Sequence, residues 1–324
     1  MKKLLIIQTA FIGDVILSTA LIENLSQLEN CKLDFLLRKG NESLLKNNPH
    51  INQVIIWDKQ NGKWSSFFQV LKKIRNEKYD YIINLQRFFT MGLLTSLSGA
   101  KKTIGFDKNP FSFLFDYKVK HDVNNGKHEV DRNNEILSIL QINIINRQPR
   151  LYPSSSDFEK VKEFTHQDFI TIAPASVWFT KQFPQHKWIS LCDTLSAKKI
   201  FLLGGKGDIA LCEAIQKSSK NKRIEILAGK LNFLASAALM SKAKMNYTND
   251  SAPLHIASAM NAPVKVVFCS TVPQFGFGPV NENGHVIETI EKLSCRPCGL
   301  HGFKSCPQKH FNCAENIKIQ QLID

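Results

Sequence analysis

Short apolar runs rich in Ile, Leu, Val and Phe recur along the chain, and most are followed by a longer stretch in which apolar residues return every three or four positions. Runs of four or five apolar residues suit strands buried on both faces, and the spaced stretches suit helices that cover them. In the first half the runs are LLII, LDFLL, QVIIW and DYIIN, with candidate helices over 15–28, 41–48 and 64–77. In the second half they are FITIA, KIFLL, RIEIL, KMNYT and VKVVF, with candidate helices over 186–197, 208–219, 231–242 and 251–260. Alternation of this kind predicts parallel sheets clothed by helices. Between the halves, NRQPRLYPSSSDFEK carries Pro, Ser and charge without an apolar period, which places a linker near 148–160. The expected architecture is two Rossmann-like domains, 1–155 and 156–324, with a ligand cleft between them.

In open parallel sheets the carboxyl ends of the strands face the ligand crevice. Four loops at such ends hold candidate chemistry. In QTAFIGD, Gly13 and Asp14 stand where the first strand hands over to a helix. This is not the glycine pattern of a dinucleotide site, and a carboxylate there repels phosphates, so a nicotinamide cofactor is disfavoured. Asp14 either caps the helix or faces a substrate, and the helix N-terminus should hold its pKa down. In TNDSAPLHIASAMNAP, Asp250 and Ser251 precede a helix with Pro253 in its first turn, and its free amides with Ser251 and His255 suit an anion such as a pyrophosphate. Capping by Asp250 or Ser251 and simple burial of His255 are the structural alternatives. In APASVWFTKQFPQHKW, Ser176, Thr180 and Lys181 leave a strand at the same edge, and a lysine there is suited to neutralise a phosphate. In LLGGKGD, Asp208 opens a helix, where it either accepts from a ribose hydroxyl or caps.

Composition adds two points. The net charge is +14, which favours encounter with phosphates, nucleic acid or anionic lipid without choosing among them. The basic start MKKLLIIQTAFIGD has too short an apolar segment for an export signal, and no window is long and apolar enough to cross a membrane, so a cytoplasmic chain with reduced thiols is expected. Of the eight cysteines, Cys31, Cys192, Cys212 and Cys269 lie in apolar surroundings and read as core residues. The others fall in CRPCGLHGFKSCPQKHFNC. Cys295 and Cys298 have the spacing of a zinc-gripping pair, and Cys306 and Cys313 follow, with His301 and His310 as substitutes. A structural zinc and four reduced structural cysteines are both compatible with that spacing, and catalysis should need neither.

Taken together, these residues resemble the ADP-heptose:lipopolysaccharide heptosyltransferases, bacterial glycosyltransferases of family 9 with the GT-B fold. The resemblance spans nearly the whole chain. It rests on GDVILSTALIENL, INLQRFFTMGLLTSLSGAKKTIGF, HEVDRNNEIL, the Lys181 loop, LLGGKGD, TNDSAPLHIASAMNAPVKVVF and the cysteine run, which looks like that of the heptosyltransferase II branch. It implies an α/β protein that holds an acceptor in its first domain and ADP-heptose in its second, and that transfers the heptose with inversion to a lipopolysaccharide inner-core acceptor. Asp14 matches the family's catalytic aspartate and Lys181 its phosphate-binding lysine. Ser176, Thr180, Asp208, Asp250, Ser251, Ala252 and His255 become donor-binding candidates, with Ala252 standing where the family usually has glycine. Gly13, Gln86, Arg87, Lys101, Lys102 and Arg132 become acceptor-binding candidates. The implied partner is an anionic glycolipid at the inner membrane face, met by a monomer that associates with that membrane peripherally.

Two rival readings keep some of the same residues. A nucleotide-sugar epimerase or a UDP-sugar-dependent transferase shares the architecture, and the epimerase would turn over one nucleotide sugar without an acceptor. A zinc-dependent nucleic-acid binder uses the charge and the cysteines, but the spacing is not that of a finger and no aromatic-basic motif accompanies it.

Overall fold

The first four apolar runs are strands of one parallel sheet, and the reason is visible in β1 (Lys2–Ile7), whose Leu4, Leu5, Ile6 and Ile7 are all fully buried. A strand with no solvent face needs apolar residues at consecutive positions. In the computed structural model, which describes residues 1–60 and 62–324, the chain divides into two units, Met1–Tyr152 and Pro153–Asp324.

The first unit contains β1, α1 (Ile12–Leu25), β2 (Cys31–Arg38), β3 (Gln53–Trp57), α2 (Lys63–Glu77), β4 (Tyr81–Asn84), α3 (Phe89–Leu97), β5 (Lys102–Phe106), β6 (Tyr117–Val119) and α4 (Glu129–Asn134). Its strands lie in the order β3-β2-β1-β4-β5-β6, all parallel. The second contains α5 (Ser155–Val161), β7 (Phe169–Ala173), α6 (Gln185–Thr194), β8 (Lys199–Leu202), α7 (Ile209–Ser218), β9 (Ile224–Ile226), α8 (Phe233–Met240), β10 (Asn246–Asn249), α9 (Ala252–Ala259), β11 (Val264–Phe268) and β12 (Gly284–Glu288). Its order, β12-β11-β10-β7-β8-β9, is the same topology read from the other edge, again all parallel. In each sheet the order reverses between the first strand and the fourth, and that switch point opens a crevice at the carboxyl ends.

One side of the first sheet packs Leu5, Ile7, Leu36 and Ile82 against Phe67, Leu71 and Ile74 of α2 and Met91 and Leu94 of α3. On α1 every residue from Val15 to Leu25 is buried, and α4 packs against it. The buried polar groups of α1 find partners within the helix and in the segment that lies against it: Ser18 and Thr19 hydroxyls donate to Val15 and Ile16 carbonyls, and Asn24 donates to the Asn146 carbonyl and accepts from the Ile145 and Asn146 amides. That asparagine straps the segment before the division onto the helix. The core of the second unit includes its chain end, with Cys313, Ala314, Ile317 and Leu322 packed among Ile172, Trp188, Val267 and Cys269. The Lys265 ammonium donates to the Leu322 carbonyl.

The expected helix over 41–48 is only a short turn of 3-10 helix at Glu42–Leu45. All eight cysteines are free thiols, and three of the four expected in the core are buried, while Cys31 opens β2 half-buried. Among the described residues, no helix is long and apolar enough to cross a membrane.

Candidate active site

Two loops meet at the switch point of the first sheet, one after β1 and one after β4. Gln8 and Gln86, the residues just beyond those strands, are buried and hydrogen-bond to each other through their side chains. The Gln86 amide is held by the Asn84 side chain at 2.8 Å. Asp14 lies in the first turn of α1 beside this bridge, and its carboxylate accepts from the Phe11 amide at 3.2 Å. The capping role is therefore real.

It does not set the acidity. The Asp14 carboxyl is pushed up from the ordinary 3.8 to about 6, first by burial and then by the nearby Glu129 carboxylate, with the Phe11 amide and the Arg87 guanidinium pulling the other way. The expected depression by the helix N-terminus is thus overruled, because losing water costs the charge more than the amides return. Glu129 is part of a buried group on α4 and the segment before it. Its carboxylate meets His121 Nε2 at 3.2 Å and Arg132 Nε at 2.7 Å, and burial, which would raise its pKa, is outweighed by these two partners so that it sits below the ordinary carboxylate range. A charge held ionised here stands permanently near Asp14.

The structure separates the basic acceptor candidates. Arg87 follows β4 on the Asp14 side. Lys101 and Lys102 do not join it: they lie at the amino end of β5, paired with Asp80 at 2.7 Å and Asp116 at 3.1 Å, at the sheet edge opposite the crevice. Arg132 is fully buried and is spent on Glu129 and on the Lys127 carbonyl at 2.5 Å, so it offers nothing to an acceptor. Sequence reasoning also missed Arg38, which closes β2 at the crevice edge with its guanidinium 5.2 Å over the Phe11 ring. A cation ending an otherwise apolar strand was the available signal.

In the second unit the loops after β7 and β10 meet at the matching switch point, and the bridge across it is ionic. Lys181 Nζ lies 2.6 Å from Asp250 Oδ2, and Asp250 also accepts from the Thr271 hydroxyl at 2.6 Å. Both charges are largely buried. Thr180 is buried beside them, accepting from Ser270 Oγ at 2.9 Å and from the Phe303 amide at 2.7 Å. Asn249, the last residue of β10, shapes the loop that carries Ser176, Thr180 and Lys181 by donating to the Pro174 carbonyl and accepting from the Phe183 amide, both at 2.8 Å. Ser251 takes the N-cap position of α9 with its hydroxyl turned to the Asn249 carbonyl, so no side chain caps the amides that follow; Ala252 and Pro253 form the first turn, and His255 is buried within the helix. Asp208 stands apart from this group. Its carboxylate accepts from the Gly205 amide at 2.7 Å and holds the glycine turn, which is the capping alternative.

The loop with the remaining cysteines is pinned to the end of β11 by Arg296, which donates to the carbonyls of Cys269 at 2.7 Å and Thr271 at 2.8 Å and to Glu288 at 2.6 Å. Burial and the neighbouring Cys295 and Cys306 thiols push the Cys298 thiol up; burial, then Cys298 and Cys306, take Cys313 to about 12. Among the described residues no group of three or more His, Cys, Asp or Glu side chains is placed as a metal site.

Two parallel six-stranded units of one topology, one bearing an acid at its switch point and the other a lysine and an uncapped helix start, are the halves of a GT-B type fold. Residues 67–301 match glycosyltransferase family 9 (heptosyltransferase), and the chain belongs to that family. It is 30% identical over 277 residues to lipopolysaccharide heptosyltransferase 3 of Escherichia coli, covering 81% of this chain and 82% of the relative. A family 9 glycosyl transferase from Veillonella parvula superposes with a TM-score of 0.82 at 22% identity, covering 89% of this chain and 86% of that one. The E. coli heptosyltransferase WaaC with ADP-2-deoxy-2-fluoro heptose superposes with a TM-score of 0.73 at 17% identity, covering 99% and 98%.

Proposed function

We propose that this glycosyltransferase moves heptose from ADP-heptose to a phosphorylated lipopolysaccharide inner-core acceptor, with inversion, and that Asp14 is the general base. The observation that carries the reading is the match to the heptosyltransferase family together with Asp14 in the first turn of α1 at the switch point of the first sheet; its carboxyl, pushed up to about 6 by burial, is then ionised at neutral pH yet more basic than an ordinary aspartate. The names of the relatives support the donor and the acceptor class. In the step itself, the acceptor hydroxyl oxygen bonds to the anomeric carbon as the bond from that carbon to the ADP oxygen breaks; Asp14 takes the hydroxyl proton, and the electron pair leaves with ADP. Lys181 and the amides at the start of α9 meet the charge that builds on the diphosphate. Lys181 is held in place for that by Asp250, and Ser176, Thr180, Ser251, Ala252 and His255 complete the donor side. Gly13, Gln86, Arg87 and Arg38 face the acceptor.

A lipid-borne acceptor implies an enzyme that works on the cytoplasmic face of the inner membrane as a peripheral monomer. The C-terminal thiols carry no step in this reading; metal analysis of the purified protein, with one zinc per chain as the supporting result, decides their role. The function is tested by offering a panel of ADP- and UDP-sugars with lipid-core acceptors and following nucleoside diphosphate release. Selective turnover of ADP-heptose, dependent on acceptor, supports it; release without acceptor points to the epimerase, and preference for a UDP-sugar refutes the donor.

A further inference from the structure

Four large apolar side chains of the first unit stand in solvent close together: Phe88 at 63% exposure, Phe89 at 53%, Phe113 at 71% and Leu114 at 54%. They come from two loops, one between β4 and α3 and one between β5 and β6. The rings join into one surface through the half-buried Phe111, whose centroid lies 4.9 Å from Phe89 and 6.4 Å from Phe113, the latter pair stacked. This surface is built rather than accidental. Asn109 ties the loops by donating to the Gln86 carbonyl at 2.7 Å and the Phe88 carbonyl at 3.2 Å while accepting from the Phe111 amide at 2.9 Å. Gly92 of α3 makes room for it, since a Cβ there would lie 1.9 Å from Asn109 Oδ1. Phe115 anchors the second loop, buried over Gly105.

The same two loops carry Arg87 and Lys108, and Lys118 and Lys120 follow on β6 and just after it. The three lysines are exposed, and among the described residues none of them forms an ion pair. Lys118 and Lys120 are two apart on and just after β6, so they project to one side. Of the acids in these loops, Asp116 is engaged by Thr103 and Lys102, and Asp107 accepts from the His121 amide at 2.9 Å. The two loops and β6 therefore present exposed aromatic side chains and unpaired lysines on neighbouring stretches of chain. Aromatic side chains settle at the boundary between headgroups and acyl chains, and lysines beside them meet anionic headgroups. A second copy of the chain fits poorly, because a two-fold contact would set these lysines against one another.

We propose that Phe88, Phe89, Phe111, Phe113 and Leu114, together with Arg87, Lys108, Lys118 and Lys120, form a docking surface for an anionic lipid bilayer. Phe88 lies two residues beyond Gln86, at the switch point that carries Asp14, so docking brings the acid to the plane of the membrane. The benefit to catalysis rests on the lipid-borne acceptor proposed above, whereas the docking itself does not.

The test is co-sedimentation of the full-length protein with phosphatidylcholine vesicles made with and without phosphatidylglycerol. The wild type should bind the anionic vesicles, less so in high salt, and F113S/L114S should bind them at least about tenfold more weakly. Melting temperatures should match, both residues being exposed, and transfer to a delipidated soluble acceptor should be unchanged. Equal binding by the double variant, or equal binding of the wild type to purely zwitterionic vesicles, overturns the proposal. So does a wild-type dimer in light scattering that F113S dissolves, which assigns the patch to a second copy. Because the vesicles hold no acceptor, a failure of the proposed transfer reaction leaves this result interpretable.

Discussion

Replacing Asp14 by asparagine should cost the enzyme its activity and make its first unit more stable. The native state holds the Asp14 proton more tightly than the unfolded chain does, since the carboxyl rises from the ordinary 3.8 to about 6. Each tenfold in proton affinity corresponds to about 1.4 kcal/mol, so keeping the charge at neutral pH costs the fold up to about 3 kcal/mol. The side chain keeps part of its surface in water, and discounting for screening leaves about 1.5 kcal/mol. The sign follows from linkage: between the two pKa values the native state binds more protons, so stability falls as pH rises through that window and the penalty stays constant above about 6. The substituted amide would keep an oxygen for the Phe11 N–H and carry no charge. At about 2–4 °C per kcal/mol, Asp14→Asn should raise the Tm of the first unit by about 3–6 °C at pH 8 and progressively less toward pH 4.5. Paired thermal melts across that range provide the assay. A variant less stable than wild type at pH 8, or a gain that does not change with pH, refutes the reasoning.

Other outcomes follow from the same geometry. The kcat/KM of the wild type should fall on the acid side with a midpoint near the Asp14 value of about 6, Asp14→Asn should lose at least about 100-fold while keeping nucleotide affinity, and Glu129→Gln should move the acid limb to lower pH; a fixed limb would clear Glu129 of any influence. Lys181→Ala should weaken donor binding and, by stranding buried Asp250, cost about 3 kcal/mol in denaturant unfolding. Adding Asp250→Asn should return most of that stability and none of the donor affinity, and a double variant as unstable as the single one would count against the ion pair. Gly92→Ala should destabilise the first unit by about 1–3 kcal/mol, because its methyl would overlap Asn109 Oδ1; an unchanged melting curve would show that Asn109 can step aside.

Much of the scaffold was written in runs such as LLII and VKVVF, because a strand buried on both faces cannot disguise itself. β5, β6 and β12 escaped notice for physical reasons: KTIGF is broken by a glycine, YKV is three residues long, and GHVIE is a polar edge strand. That Asp14, Lys181, Asp250 and Ser251 lie in loops or helix starts after strands was legible because strand ends are predictable places. Their electrostatics were not. That Lys181 is neutralised by Asp250, or that Glu129 biases Asp14, depends on contacts between residues 69 and 115 positions apart, which no local pattern encodes. The pairing of Lys101, Lys102 and Arg132 with Asp80, Asp116 and Glu129 was hidden for the same reason: basicity is visible in a sequence, whereas the end of the strand and the side of the helix that carry it are not.

The packing of residues 313–322 among Ile172, Trp188 and Val267 bears on how the enzyme is made. The first unit closes upon itself and is free to fold while synthesis continues. The interior of the second unit stays incomplete until residues 313–322 are made to fill it. During that interval only the unit with Asp14 is able to fold, so a nascent chain holds one half of a two-unit enzyme.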